Sequence, residues 1–196
     1  GYVETLLVRE NLLSPDERRQ YLETAVGHCK HLGNLVTGLF DLARLEAPDM
    51  SVRPEPFSIG ELVQDATQKL RLAAEEKGVG MTTNAGADIP FVFADIGLIG
   101  RVLENLLENA IHYTPPGGAV RVLLRPLTAD VVITVSDTGC GIPPEELPRI
   151  FDRFHQVRRS PGAKGSHAGL GLAIVKKILE LHGSAIDVQS TLTQGT

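Results

Sequence analysis

Cysteine, excess positive charge and unbroken apolar sequence are all scarce in this chain of 196 residues. Its two cysteines, Cys29 and Cys140, stand in contexts without CxxC spacing, a usage that fits a reducing cytosol. Nineteen basic residues against 24 acidic ones leave a formal charge of -5 and a pI near 5.7, which gives no support to nucleic-acid binding. An acidic chain can still take a nucleotide through Mg2+ and local backbone dipoles. No apolar run approaches the roughly 18 residues of a membrane span, and no signal peptide opens the sequence. A cytoplasmic segment is expected, with any anchoring of a parent protein in the inner membrane left to segments upstream of Gly1. Internal repeats and low-complexity tracts are lacking too. At 42% hydrophobic, the chain can bury a real core, and its length suggests one domain plus an appendage.

What is present falls into two parts. Residues 1–13 read as the end of a helix, and "SPDE" at 14–17 starts another: Ser14 can cap, Pro15 fits the first helical position, and Glu17 closes a capping box. That helix is predicted to run to about Glu46. Leu22, Val26, Cys29, Gly33, Val36, Phe40 and Ala43 step by 4-3-4-3-4-3, with Leu32, Leu35, Leu39 and Leu42 beside them. Two adjacent stripes suit a bundle with more than one neighbour, so a homodimer is expected, with Cys29 a buried free thiol. The proline-rich, aperiodic stretch "APDMSVRPEPF" holds the linker, which divides the chain into residues 1–47, 48–57 and 58–196.

Beyond the linker, Ser58 and Glu61 open a helix to Lys77 that Gly78 ends, residues 79–83 and 91–94 read as strands, and Asp95 caps a helix through His112. Residues 119–125 and 131–136 predict a hairpin, 143–168 a functional loop, 169–182 a helix and 186–190 a last strand. The mixture is α+β rather than doubly wound.

Three stretches carry chemistry. In "NLLENAIHYT", Asn105 and Asn109 share one helical face; an amide oxygen is a hard ligand suited to Mg2+, although two solvated amides read equally plainly. In "SDTGCGIP", Asp137 at a strand end, followed by Gly139 and Gly141, can accept a hydrogen bond from an exocyclic amine, or simply make a turn. In "GSHAGLGLAIVKK", Gly165, Gly169 and Gly171 lead into a helix whose first N–H groups suit a phosphate, or form a hinge. No Gly-Lys-Ser/Thr follows, so this is not a Walker loop. No strand precedes it, so it is not a Rossmann turn either.

Their conjunction and order, with "FDRF" at 151–154 between the second and third, closely resemble the ATP-binding domain of sensor histidine kinases, within the superfamily that includes gyrase B, Hsp90 and MutL. The resemblance covers essentially the whole chain. It implies a two-layer α/β sandwich of the Bergerat type, preceded by the distal part of a dimerisation and phosphotransfer hairpin whose usual exit is "LFDLARLEA" at 39–47. It implies Asn109 as the principal Mg2+ ligand with Asn105 beside it, His112 near the phosphates, and Tyr113 flanking the nucleotide. Asp137 would bind the adenine amine, with Gly139, Gly141 and Ile142 shaping that pocket. Phe151 and Phe154 would anchor a mobile lid, and Gly169, Leu170, Gly171 and Leu172 would close over the phosphates.

The chain departs from the family at His112, often Lys or Arg, and at Ser166-His167-Ala168, often Gly-Gly-Thr. The resemblance also implies a parent that autophosphorylates a histidine from Mg-ATP and passes the phosphoryl group to an aspartate of a response regulator. The acceptor motif would lie upstream of Gly1, so this chain is expected to bind nucleotide without labelling itself. His28 and His31, three apart on the first long helix, lack the acidic residue and proline that follow an acceptor histidine, and are expected to flank the bundle. The rival readings are a non-catalytic dimerising scaffold and another ATPase or protein-serine kinase of the superfamily.

Overall fold

The computed structural model describes residues 13–86, 88–128, 130–157 and 169–196; the helix expected before residue 13 and the positions Gly165, Ser166, His167 and Ala168 lie outside them. Helix α1 (Pro15–Glu46) starts as its sequence dictates. The Ser14 side chain accepts from the Glu17 N–H while the Glu17 carboxylate accepts from the Ser14 N–H at 2.8 Å. Strand β1 (Glu55–Ser58) then leads into α2 (Ile59–Lys77), where the Ser58 hydroxyl accepts from the Glu61 N–H and Gly78 closes the helix. Strands β2 (Gly80–Ala85) and β3 (Phe91–Ala94) precede α3 (Ile96–Tyr113), capped by Asp95, whose carboxylate accepts from the Leu98 N–H at 3.1 Å. Strands β4 (Ala119–Pro126) and β5 (Val131–Asp137) form the predicted antiparallel hairpin, and α4 spans Gly171–Leu181.

β4 is central in the order β2-β4-β5, pairing parallel with β2, and β1 pairs antiparallel with β3 in a second, two-stranded sheet. Parallel pairing requires a long crossover, supplied here by β3 and α3. Alternation along β4 turns Val120, Val122 and Leu124 inward, where they meet Val63 and Ala66 of α2 and Leu103, Leu107 and Ala110 of α3. A second cluster joins Leu42 and Leu45 of α1, Val102 of α3, and Leu170, Ile174, Val175 and Ile178 on and beside α4. The result is the α+β two-layer arrangement, with the last turns of α1 docked on its helical side.

Three expectations are corrected. Residues 55–58 pair as β1 although the stretch 47–57 holds three prolines: Phe57 is buried, and Pro56, which has no N–H, is tolerated in a strand at a sheet edge. Residues 186–190 alternate but form no ladder. The Asp137 N–H at the edge of β5 is taken by the Thr196 carbonyl at 2.9 Å, and the Ser190 hydroxyl instead receives the Ile142 N–H at 2.8 Å. Cys29 is exposed: among the described residues none packs over the stripe in the N-terminal half of α1.

Leu107 is wholly buried while Leu72, on the outer side of α2, is 67% exposed. Leu107→Ala is expected to cost about 2–5 kcal/mol in chemical denaturation, from lost transfer energy plus a cavity, and Leu72→Ala at most about 0.5 kcal/mol. Equal effects would contradict the assigned core.

Candidate nucleotide site

The C-terminal half of α3 carries the two asparagines, and α4 approaches them end-on. Asn105 donates from Nδ2 to the Arg101 carbonyl at 2.8 Å, one turn back on its own helix, and this fixes its amide plane. Its Oδ1 then faces the first residue of α4: a Cβ on Gly171 would lie 2.8 Å from that oxygen and 3.8 Å from Asn109 Nδ2. Only glycine fits there without moving the amide. α4 begins with no side-chain cap, so the first N–H groups of the helix keep the orphan character that suits an anion.

The second wall is the turn after β5. Asp137 Oδ1 accepts from the Gly139 N–H at 2.7 Å, and Cys140 Sγ lies 3.4 Å from the Tyr113 carbonyl, which brings the turn against the end of α3. Gly141 has φ +67°, and a Cβ there would collide with the Thr191 carbonyl oxygen, at 2.1 Å. The segment 190–196 supports this turn from behind. Besides the Ser190 bond to Ile142, the Thr193 N–H donates to the Cys140 carbonyl at 2.8 Å. Ser190 and Thr193 are positions that motif spacing does not single out; the only sequence signal is the Ser/Thr/Gly content of "STLTQGT".

At the C-terminus of α3, Lys77 donates to the carbonyls of Ile111 (2.8 Å) and His112, a cationic cap where the helix dipole is negative. Burial lowers the ammonium pKa from its ordinary value. His112 stands edge-on to Tyr113 with ring centroids 4.7 Å apart, and Tyr113 is partly exposed.

Thus Asn105 and Asn109 meet Gly171 at the start of α4, and the turn of Asp137, Gly139 and Cys140 abuts Tyr113 at the end of the same helix α3. Phe154 and Gly169 meet through a 2.8 Å bond from the Phe154 N–H to the Gly169 carbonyl, with Phe154 at φ +60°. The Leu170 side chain turns away from this region. It is buried against Gly38 of α1, so any part it takes in binding belongs to its backbone. Leu172 is half-buried on the first turn of α4. Ion pairs from Arg101 to Asp41 and from Arg153 to Glu46 flank the Leu170 contact, so α1 touches the asparagine helix, the start of α4 and the "FDRF" segment together.

Comparison with known proteins identifies the family. Residues 94–196 match the family described as histidine kinase-, DNA gyrase B-, and HSP90-like ATPase. The sensor protein SrrB of Staphylococcus aureus is 36% identical over the whole chain, which spans about a third (33%) of that relative's length. Full-length ShkA, solved in complex with AMPPNP, superposes with a TM-score of 0.76 at 30% identity, covering 95% of this chain and 38% of that one. The histidine kinase ThkA, solved with the response regulator protein TrrA, shares the fold at 20% identity and a TM-score of 0.74, covering 93% of this chain and 50% of that one. The chain belongs to the histidine kinase-, gyrase B- and Hsp90-like ATPase family. Its relatives place it with the catalytic region of sensor histidine kinases.

Gly171→Ala separates fold from site. The added methyl suits a helix but forces the Asn105 amide to rotate off the Arg101 carbonyl. The melting temperature is expected to stay near that of the parent chain, whereas affinity for Mg-ADP falls about tenfold, the equivalent of roughly one charge-assisted hydrogen bond. Unchanged affinity would contradict the role given to this contact.

Proposed function

We propose that this chain is the ATP-binding catalytic region of a two-component sensor histidine kinase. Its parent autophosphorylates a histidine from Mg-ATP and transfers the phosphoryl group to a response-regulator aspartate. The observation that carries this is the seating of Gly171, at the uncapped start of α4, directly on Asn105 and beside Asn109. The donor set fits Mg-nucleotide. Amide oxygens are hard ligands, α4 offers N–H groups to phosphate oxygens, and the Asp137 carboxylate at the far wall can accept an adenine amine. Held there, Mg2+ would supply charge neutralisation for the phosphates. Asn109 would hold the metal with Asn105 oriented beside it, Tyr113 and His112 would border the phosphates and sugar, and the turn from Gly139 to Ile142 would exclude water from the base. Phe154, Gly169 and Leu172 would frame the phosphate end.

On the same reading, residues 1–47 are the distal part of the dimerisation hairpin, the linker expected over 48–57 gives way to β1 at Glu55, and the nucleotide domain follows to residue 196, in the cytoplasmic portion of the parent. Among the described residues no helix is long and apolar enough to cross a membrane. Support for a homodimer comes from α1. Leu22, Val26, Leu32, Val36, Leu39 and Phe40 are all about half exposed or more, Phe40 at 73%, on a helix whose other face is already docked. Such a contiguous apolar face fits a second copy in a four-helix bundle.

Calorimetry with ADP and Mg2+ tests the nucleotide reading. The chain is expected to bind saturably, and Asn109→Ala and Asp137→Asn are each expected to weaken binding about tenfold or more. Absence of heat at millimolar nucleotide would contradict it and favour a non-catalytic scaffold. Sedimentation tests the dimer: Val36→Glu with Phe40→Glu is expected to yield a monomer that still binds ADP. A parent chain already monomeric at high concentration would contradict that part.

A further inference from the structure

α3 and α4 lie antiparallel. Gly171 at the start of α4 meets Asn105 and Asn109, whereas His182, just past the end of α4, meets Asp95 at the start of α3. The separation along α4 is eleven residues and along α3 ten, so the two contacts lie about 15–16 Å apart on both helices. Between them the packing is apolar, through Leu98 and Val102 against Ile174, Val175 and Ile178. Apolar burial fixes how closely two helices approach, but it is non-directional and specifies their axial register weakly. Hydrogen bonds are directional, and among the described residues the His182 side chain makes one to the backbone across this pair.

The partners define the imidazole. Asp95 N–H donates to His182 Nε2 at 3.1 Å, so Nε2 carries no proton; Nδ1 lies 2.8 Å from the Ile178 carbonyl, which can only accept, so Nδ1 carries it. The ring therefore joins the last turn of α4 to the N-cap of α3 as a neutral Nδ1–H tautomer. Asp95 is itself anchored: its carboxylate accepts from the Arg53 N–H and the Leu98 N–H, each at 3.1 Å.

We propose that His182 is a positioning residue of the nucleotide site, setting the register of α4 along α3 and so keeping Gly171 seated on Asn105 and Asn109 at the opposite end. The proposal rests on the nucleotide reading above and adds to it a residue that touches neither nucleotide nor metal.

The test compares Mg-ADP affinity and thermal stability of the full chain with those of His182→Leu, His182→Gln and Leu124→Val. Leu124 is buried on β4, beside neither helix end, and its variant serves as the control for lost stability alone. His182→Leu is expected to weaken Mg-ADP binding about five- to tenfold, and His182→Gln, which keeps one donor and one acceptor, to recover most of it. Leu124→Val is expected to melt earlier with unchanged affinity. Equal affinity of His182→Leu and the parent chain would overturn the proposal, as would a loss in Leu124→Val as large as that in His182→Leu. If the parent chain itself fails to bind, the nucleotide reading falls first and the proposal with it, a different result from normal parent binding with indifferent variants. Should His182→Leu not fold, nitrogen NMR of the parent decides. A neutral Nδ1–H ring whose signal moves on adding Mg-ADP supports the proposal. An Nε2–H ring, or one that saturating nucleotide leaves unmoved, overturns it.

Discussion

The contact on which the site depends is the one between a missing side chain and an amide: Gly171 against Asn105. α4 comes within van der Waals reach of α3 at its first residue, which sets its uncapped start against the Asn105 oxygen and beside the Asn109 amide. Every other feature serves that approach. The apolar faces of α3 and α4 bring the helices together, the Arg101 carbonyl holds the Asn105 amide in one orientation, and Lys77 closes the far end of α3. The turn from Asp137 to Gly141 is then set against the end of α3 by the C-terminal segment, which takes the Asp137 N–H at the last residue of β5 and donates to the Cys140 carbonyl.

α1 leads two lives along its length. Its last turns, from Gly38 to Glu46, are consumed by the catalytic module. Leu42 and Leu45 are buried, and Asp41 and Glu46 reach Arg101 and Arg153. Exposed ion pairs of this kind contribute little energy, at most about 1 kcal/mol each, so the docking rests on the leucines and the charges serve mainly to orient it. Earlier turns present the apolar stripe outward. Gly38 receives Leu170, the residue immediately before the start of α4, so the last turns of α1 abut the start of that helix.

Much of this was legible in the sequence because local rules decided it. Ser14, Ser58 and Asp95 start helices where capping chemistry says they should, Gly78 ends one, and β4 and β5 pair as the β-rich runs predict. The site residues were legible as types in order: two amides a turn apart, a carboxylate before glycines, glycines before a helix. What spacing did not disclose was contact over long sequence separation. Ser190 holding Ile142, His182 holding Asp95 and Gly38 receiving Leu170 bring together residues 48 or more positions apart. Periodicity also misled where a partner decides the outcome. Residues 186–190 alternate as a strand but pair with none of the described strands, and Cys29 lies on an apolar stripe that the described residues do not cover. Leu170 reads as part of a glycine-rich phosphate loop, yet its side chain belongs to the core.

The most direct measurement of the central claim is an amide NMR titration of the chain with Mg-ADP. Shifts concentrated at Asn105, Asn109, the turn from Asp137 to Ile142 and the first turn of α4 are the result this account predicts. Shifts that leave those residues unmoved while others respond, or no shifts at saturating nucleotide, would contradict it.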